Sequence, residues 1–121
     1  MARILFIDDD ESIRFLVQEE LSFDGHCVRV AGDGPTGLLL ADQELPDVVI
    51  LDLKMPGMDG LEVLHHLKAA HPDLPVFLFT AYNDYSEAAL ALGADGYFVK
   101  SPDFGPLREG IRSATALTIH N

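Results

Sequence analysis

Four short apolar runs of this chain each stop at a side chain that can do chemistry. Asp8 and Asp9 follow the first run, Asp52 another, Thr80 the next and Lys100 the last. If these runs are parallel strands, their carboxyl ends meet at one edge of a sheet, which is where α/β folds bind ligands. The sequence therefore predicts three carboxylates, a hydroxyl and an amine at one rim.

The three carboxylates of this set indicate a cation site. Neighbouring carboxylates repel one another, and at least one holds a proton unless a cation joins them. All-oxygen ligands suit a hard cation, and Mg²⁺ typically takes one or two carboxylates and leaves positions for phosphoryl oxygens. Lys100 adds a positive charge and Thr80 a hydroxyl for further phosphoryl oxygens. A carboxylate with these neighbours is well placed to be a phosphorylated nucleophile.

The elements that must position these side chains alternate along the chain. Apolar runs at 3–7, 26–31, 47–51, 75–79 and 96–99 have the length of strands. Helical spacing lies between them, with capping signals at Asp59-x-x-Glu62 and Asp84-x-x-Glu87 and a helix-ending Gly93. The order βαβαβαβαβα predicts an α/β fold with a parallel sheet and right-handed crossovers, in a single domain spanning 1–121.

Composition excludes several classes of function. The formal net charge of −12 disfavours direct binding of nucleic acid, which needs clustered Lys and Arg. No apolar run approaches the roughly 20 residues of a membrane span, and the N-terminus lacks the pattern of a signal peptide, so a cytoplasmic protein with no membrane contact is expected. Cys27 is the single cysteine, which excludes an internal disulfide, and its alternating neighbours indicate a half-buried strand.

The residues at the strand ends and in the segment after Asp52 together resemble those of a known family. The resemblance rests on Asp8-Asp9, on Asp52 followed by Met55-Pro56-Gly57-Met58-Asp59-Gly60, on Thr80-Ala81 and on Lys100. This set resembles the receiver domain of two-component response regulators, of the chemotaxis-regulator kind, over essentially the whole chain. The resemblance implies a doubly wound (βα)5 flavodoxin-like fold, with a five-stranded parallel sheet of order 2-1-3-4-5 flanked by five helices. It also implies a phosphorelay switch that is not a conventional turnover enzyme.

The resemblance assigns roles around the metal. Asp52 is expected to be the phosphoacceptor and, with Asp8 and Asp9, to hold Mg²⁺, for which Mn²⁺ can substitute. Asp9 is the favoured direct ligand, and the backbone carbonyl of Lys54 completes the protein's share of the metal shell.

The resemblance also assigns roles around the phosphoryl group. Thr80 and Lys100 are expected to bind it, and Thr80 with Tyr97 to form a conformational switch. Lys54 and Tyr82 fall at positions that tune the lifetime of the phosphate in this family.

The partners implied are a sensor histidine kinase or a histidine phosphotransfer protein as phosphodonor, and a downstream protein or a missing output domain as target. The face formed by the last strand and its flanking helices is expected to carry the output. The same face could form a homodimer.

One departure from the family pattern concerns the end of the last strand. The family usually has Lys-Pro there, often with a cis peptide bond, whereas Lys100 is followed by Ser101. Either this loop is trans and repositioned, or it carries the cost of a cis bond, about 3 kcal/mol. The need for Lys100 to reach the phosphoryl group favours cis.

Two other functions are compatible with parts of the sequence. One is a pseudo-receiver that binds proteins without phosphorylation. The other is a phosphatase of the haloacid dehalogenase type, since Asp8-x-Asp10 after an apolar strand resembles its nucleophile motif. That alternative gives the segment from Asp52 to Gly60 no role, and a plainer interpretation of Asp10 and Glu11 is that they favour a helix N-terminus.

Overall fold

Strands and helices alternate along the chain with short connections. The computed structural model describes residues 1–81, 89–90 and 92–119. The strands are β1 (Arg3–Ile7), β2 (Cys27–Ala31), β3 (Val48–Leu51), β4 (Val76–Thr80) and β5 (Gly96–Val99), and the helices within the described residues are α1 (Glu11–Phe23), α2 (Gly34–Gln43), α3 (Gly60–Ala70) and α4 (Gly105–Ile119). The helix predicted between β4 and β5 falls largely outside the described residues.

The five strands form one parallel sheet in the order β2-β1-β3-β4-β5, which confirms the predicted fold. Ile7 aligns with Ala31 on one side and with Leu51 on the other, so β1, β2 and β3 end level with one another. The strand order changes direction between β1 and β3. Doubly wound sheets bind ligands beyond the carboxyl ends of the strands at such a point.

The core lies on both faces of the sheet. Leu5 and Leu51 belong to one buried apolar cluster, and Phe6 and Ile50 belong to another. β3 and β4 are buried at every position. Continuous apolar strands of this kind are expected where helices cover both faces of a parallel sheet.

Aspartates at the loops fix where helices begin. Asp10 caps α1 by accepting hydrogen bonds from the backbone N–H of Ser12 (2.9 Å) and Ile13 (3.2 Å). Asp59 caps α3 by accepting from the backbone N–H of Glu62 at 3.0 Å. The predicted capping roles of Asp10 and Asp59 are therefore confirmed.

Gly93 ends the segment before β5 as predicted. Its φ is +97°, a conformation that glycine adopts without steric cost. The Gly93 N–H donates to the Leu90 carbonyl, and the Ala94 N–H donates to the Ala89 carbonyl at 3.0 Å. This pair of bonds is the Schellman pattern of a helix C-terminus. The capping box predicted at 84–87 lies outside the described residues.

Two further sequence predictions concern the surface. Within the described part of the chain, no helix has the length and apolarity needed to cross a membrane. Cys27 lies in a strand as predicted, but its side chain is exposed, not half-buried. The reason is that β2 is an edge strand and Cys27 is its first residue.

His26 ties the N-terminus to the sheet. Its Nδ1 accepts a hydrogen bond from the Ala2 N–H at 3.0 Å, and the Ala2 carbonyl accepts from the Cys27 N–H at 2.9 Å. Nδ1 can accept only when the imidazole is neutral. Burial and the N-terminal ammonium lower the pKa of His26, and Asp24 opposes them.

We expect His26 to make stability depend on pH. A histidine whose pKa is lowered on folding stabilises the protein above its unfolded pKa of about 6.5, and this contribution is lost as the pH falls through the folded pKa. The unfolding free energy from urea titration should therefore drop between about pH 7.5 and about pH 5.5, by up to about 1 kcal/mol from this hydrogen bond.

The matched variants are His26→Asn, whose side-chain oxygen can still accept from Ala2, and His65→Asn at an exposed position. The drop in unfolding free energy on acidification should be smaller in His26→Asn than in the wild type. In His65→Asn it should be as large as in the wild type. Equal pH dependence in wild type and His26→Asn would contradict this role for His26.

Candidate metal centre

Three carboxylates meet at the carboxyl ends of β1 and β3. Asp8 and Asp9 follow β1, Asp52 follows β3, and one carboxylate oxygen from each lies within 4.8 Å of the other two. Asp8 and Asp52 are buried, whereas Asp9 is exposed. The structure thus brings together the carboxylates that the sequence predicted at one rim, and leaves one of them open to solvent.

The backbone around Asp8 is fixed by several hydrogen bonds. The Asp8 N–H donates to the Ala31 carbonyl at 3.0 Å, and its Oδ1 accepts from the Asp10 N–H at 2.9 Å. Its carbonyl accepts from the Arg14 guanidinium at 2.8 Å. Asp8 is therefore held on its backbone and on one side-chain oxygen, and the other oxygen, Oδ2, faces the site.

Lys100 enters the site from the end of β5. Its Nζ lies 2.8 Å from Asp8 Oδ2 and 3.5 Å from Asp52 Oδ1. The backbone N–H of Lys100 donates to the Thr80 carbonyl at 2.8 Å, which extends the pairing of β4 with β5 by one residue. This pairing directs the lysine stem across the sheet edge towards the carboxylates.

The preference for a cis Lys100–Ser101 bond is wrong, because the bond is trans. Lys100 reaches both carboxylates from a trans backbone, so the geometry of the site does not require the cost of a cis bond. Ser101 instead begins a turn, in which its hydroxyl accepts from the Asp103 N–H at 3.1 Å.

The charged surroundings of the site shift the pKa values of Asp52 and Lys100. Burial raises the pKa of Asp52, the neighbouring Asp8 carboxylate raises it further, and Lys100 lowers it. Burial lowers the pKa of the Lys100 ammonium, but Asp8 and Asp52 outweigh burial and leave that pKa above its ordinary value. The ammonium therefore stays charged at neutral pH, and it compensates the carboxylates only in part.

A divalent cation fits the residues present. Asp8 Oδ2 is buried and lies 2.8 Å from the Lys100 ammonium, which Asp52 shares at 3.5 Å. Carboxylates in excess of the ammonium that touches them attract a further cation, and an all-oxygen set suits a hard one. Asp8, Asp9 and Asp52 would hold such an ion.

The loop after Asp52 comes very close to the next helix. A Cβ on Gly60 would collide with the Asp52 carbonyl and lie 2.6 Å from the Leu53 Cα, so only glycine fits there. The Gly60 N–H donates to the Leu53 carbonyl at 2.9 Å. The backbone of Lys54 hydrogen-bonds to the Asp52 carboxylate, and its side chain is exposed. The metal contact of the Lys54 carbonyl stays a prediction.

The remaining residues predicted from the sequence lie on β4 and β5. Thr80 is fully buried at the end of β4. Tyr97 is half-buried, pairs in register with Leu78 and packs against the apolar cluster on that face. Tyr82 lies outside the described residues. The switch and lifetime roles of these residues stay predictions.

Arg14 is the residue at this site that sequence reasoning missed. It lies on α1 and donates to the Asp8 carbonyl. Helical side chains lean towards the helix N-terminus, so a basic residue one turn after the Asp10 cap is directed back at the loop that carries Asp8. That spacing was the available signal.

The fold and this acidic centre define a doubly wound α/β domain with a cluster of carboxylates at the strand ends. Residues 4–112 match the family described as response regulator receiver domain. The chain therefore belongs to the receiver-domain family of two-component response regulators.

Known relatives agree with this assignment. The chain is 44% identical over 100 residues to the response regulator MprA of Mycolicibacterium vanbaalenii, covering 81% of this chain and 43% of that protein. It therefore spans less than half the length of this relative. The response regulator TrrA of Thermotoga maritima, solved in complex with Mg²⁺-BeF, is 38% identical with a TM-score of 0.90, covering 94% of this chain and 99% of that one. A CheY-like receiver domain protein of Methanospirillum hungatei is 28% identical with a TM-score of 0.91, covering 100% and 99%.

We expect Asp52→Asn to stabilise the metal-free protein at neutral pH. Like charges about 5 Å apart repel by roughly 1–3 kcal/mol near a protein surface, so the unfolding free energy should rise by about 1 kcal/mol or more. An acid whose pKa is raised on folding costs stability as the pH rises through that pKa. The gain should therefore be larger at about pH 7.5 than near pH 4.

With Mg²⁺ present, the wild type should become more stable than Asp52→Asn. Urea titration with Mg²⁺ should stabilise the wild type through binding to the folded state and leave Asp52→Asn nearly unchanged. Asp10→Asn is the matched control, because asparagine caps a helix as well as aspartate does. An Asp52→Asn variant less stable than wild type without Mg²⁺ would contradict the account of repulsion.

Proposed function

We propose that this chain is a phosphoacceptor switch in which Mg²⁺-dependent phosphorylation of Asp52 controls a partner. The observation that carries the proposal is the meeting of Asp8, Asp9 and Asp52 with the Lys100 ammonium at one sheet edge. Mg²⁺, or Mn²⁺ in its place, would be held by the three carboxylates and the Lys54 carbonyl.

In the phosphorylation step a carboxylate oxygen of Asp52 attacks the phosphorus of a phosphohistidine. The new P–O bond forms as the P–N bond breaks, and the imidazole nitrogen leaves with its electron pair. Mg²⁺ held by Asp8, Asp9 and Asp52 would supply positive charge to neutralise the phosphoryl oxygens. The Lys100 ammonium and the Thr80 hydroxyl bind the other oxygens. Lys100 must therefore move from its ion pair with Asp8 towards the incoming phosphoryl group.

The lifetime of the aspartyl phosphate depends on how water reaches it. The Lys54 side chain is exposed beside Asp52, so its ammonium is able to shield or orient an attacking water. Lys54 and Tyr82 are proposed as the residues that tune this lifetime.

The output surface is proposed to be the face of β5 and its flanking helices. Thr80 moves towards the phosphoryl group, and Tyr97, which is half-buried in the unphosphorylated state, turns inward behind it. Phosphorylation would thereby bias two conformations that exist beforehand. Leu90 and Val99 expose 59% and 48% of their surface, which supports docking of a partner, or of a second copy of the chain, on this face.

The partners proposed follow from the chemistry. The phosphodonor is a sensor histidine kinase or a histidine phosphotransfer protein, and the target is a downstream protein or an output domain. The length of the MprA relative supports an output domain in a longer regulator. Residues 1–121 are proposed to form a single domain that works in the cytoplasm, without direct contact with nucleic acid or membrane.

The phosphatase alternative is weakened by the state of Asp10. The carboxylate of Asp10 is engaged in capping α1, which gives this half of the Asp8-x-Asp10 motif a structural role. The pseudo-receiver alternative is weakened by the complete set of acids and by the Lys100 ammonium, which lies 2.8 Å from Asp8 and 3.5 Å from Asp52.

We expect one phosphoryl group to be added to the protein by acetyl phosphate and Mg²⁺. Intact-mass spectrometry should detect the adduct in the wild type, and chelation of Mg²⁺ or the Asp52→Asn substitution should remove it. Lys100→Met should slow its formation by about 100-fold, the usual effect of losing one stabilising charge at a reacting group.

Asp10→Asn is the control here too and should be phosphorylated like the wild type. Absence of any adduct in the wild type would favour the pseudo-receiver. Steady release of phosphate from a generic phosphomonoester would favour the phosphatase.

A further inference from the structure

Arg14 links helix α1 to the loop that carries the acidic residues. Its Nη1 donates to the backbone carbonyl of Asp8 at 2.8 Å, and the side chain is half-buried. The bond crosses from the second turn of α1 to the end of β1. Arg14 therefore contacts a metal-site residue through its backbone and not through its carboxylate.

The guanidinium lies over the backbone of Gly32. A Cβ at Gly32 would lie 3.1 Å from Arg14 Nη1 and 3.4 Å from its Cζ. Gly32 directly follows Ala31, whose carbonyl accepts the Asp8 N–H. The absence of a side chain at Gly32 thus gives Arg14 the space from which it holds Asp8.

The other hydrogen bonds that hold Asp8 act on its N–H and its carboxylate, and the bond from Arg14 acts on its carbonyl. The Asp8 N–H is held by Ala31, and Oδ1 is held by the Asp10 N–H. The carbonyl of Asp8 belongs to the peptide plane that leads into Asp9. A hydrogen bond to this carbonyl fixes the orientation of that plane, and hence the direction in which the Asp9 side chain leaves the backbone.

We propose that Arg14 is a positioning residue that sets the spacing of the Asp8 and Asp9 carboxylates and thereby the affinity of the site for Mg²⁺. This inference rests on the proposed function, in which these carboxylates bind the ion. Arg14 favours Mg²⁺ binding through its hydrogen bond to the Asp8 carbonyl. Its positive charge by itself opposes Mg²⁺ binding, because like charges repel.

Charge and geometry predict opposite results for Arg14→Met. The substitution keeps an apolar stem and removes both the charge and the donor. Loss of a nearby positive charge alone would tighten Mg²⁺ binding, because like charges repel. Loss of the hydrogen bond loosens the loop and weakens binding. The sign of the change in Mg²⁺ affinity therefore separates the two effects.

Mg²⁺ affinity would be measured by isothermal titration calorimetry on the wild type, Arg14→Met and Gly32→Ala. Arg112→Met, in which an exposed arginine on α4 is replaced, is the matched control for loss of charge. The dissociation constant should rise by about tenfold in Arg14→Met, the lower end of the range for residues that support metal ligands. It should rise less in Gly32→Ala, in which the added methyl displaces the guanidinium, and not at all in Arg112→Met.

The phosphorylation rate with acetyl phosphate gives the second readout. At saturating Mg²⁺, Arg14→Met should react within about twofold of the wild-type rate. The reason is that excess Mg²⁺ fills the site even when its affinity for the ion is lower. Far-ultraviolet circular dichroism and urea titration would show that each variant is folded under the conditions of the assay.

Weaker Mg²⁺ binding in Arg14→Met and in Gly32→Ala, with a near-normal rate at saturation, would support the proposal. Unchanged or tighter binding in folded Arg14→Met would overturn it, and so would an equal loss in Arg112→Met. If Arg14→Met does not fold, a Gly32→Ala variant with wild-type affinity would overturn it alone. Failure of the wild type to bind Mg²⁺ would instead refute the proposed function.

Discussion

Repulsion among the carboxylates of Asp8, Asp9 and Asp52 is the constraint on which the site depends. The sheet holds their oxygens within 4.8 Å of one another, and the Lys100 ammonium compensates them only in part. Such a centre costs stability in the metal-free state and gives that free energy back when a cation binds. Selection for stability alone would not favour three acidic residues at these strand ends. Local destabilisation of this kind is typical of functional sites.

The fold converts separate strand ends into one site. Because parallel strands leave the sheet at the same edge, residues far apart in sequence, such as Asp8, Asp52 and Lys100, become neighbours without a loop folded for the purpose. This is why the α/β fold and the acidic group could be predicted from the residues alone, whereas the strand order was implied by the family resemblance. Strand ends, buried apolar runs and capping aspartates are local signals, and the alternation of elements leaves few topologies that obey the rules of handedness and connection.

What the sequence did not reveal depends on contacts between segments. The cis preference at Lys100–Ser101 assumed that Lys100 could reach the phosphoryl group only from a cis bond, whereas the reach of the lysine depends on where β5 ends beside β4. Arg14 was missed because its partner is a backbone carbonyl, a group that every residue has and that the sequence therefore does not single out. Cys27 was placed correctly in a strand, but its exposure depends on β2 being at the edge of the sheet.

The central claim is that Asp52 carries the phosphoryl group, and mapping the modified residue tests it most directly. After incubation with acetyl phosphate and Mg²⁺, borohydride reduction converts an aspartyl phosphate to homoserine, and peptide mass spectrometry then locates the change. The account predicts homoserine at position 52, dependent on Mg²⁺. Homoserine at position 8 or 9, with Asp52 unchanged, would contradict this claim and would identify Asp8 or Asp9 as the nucleophile.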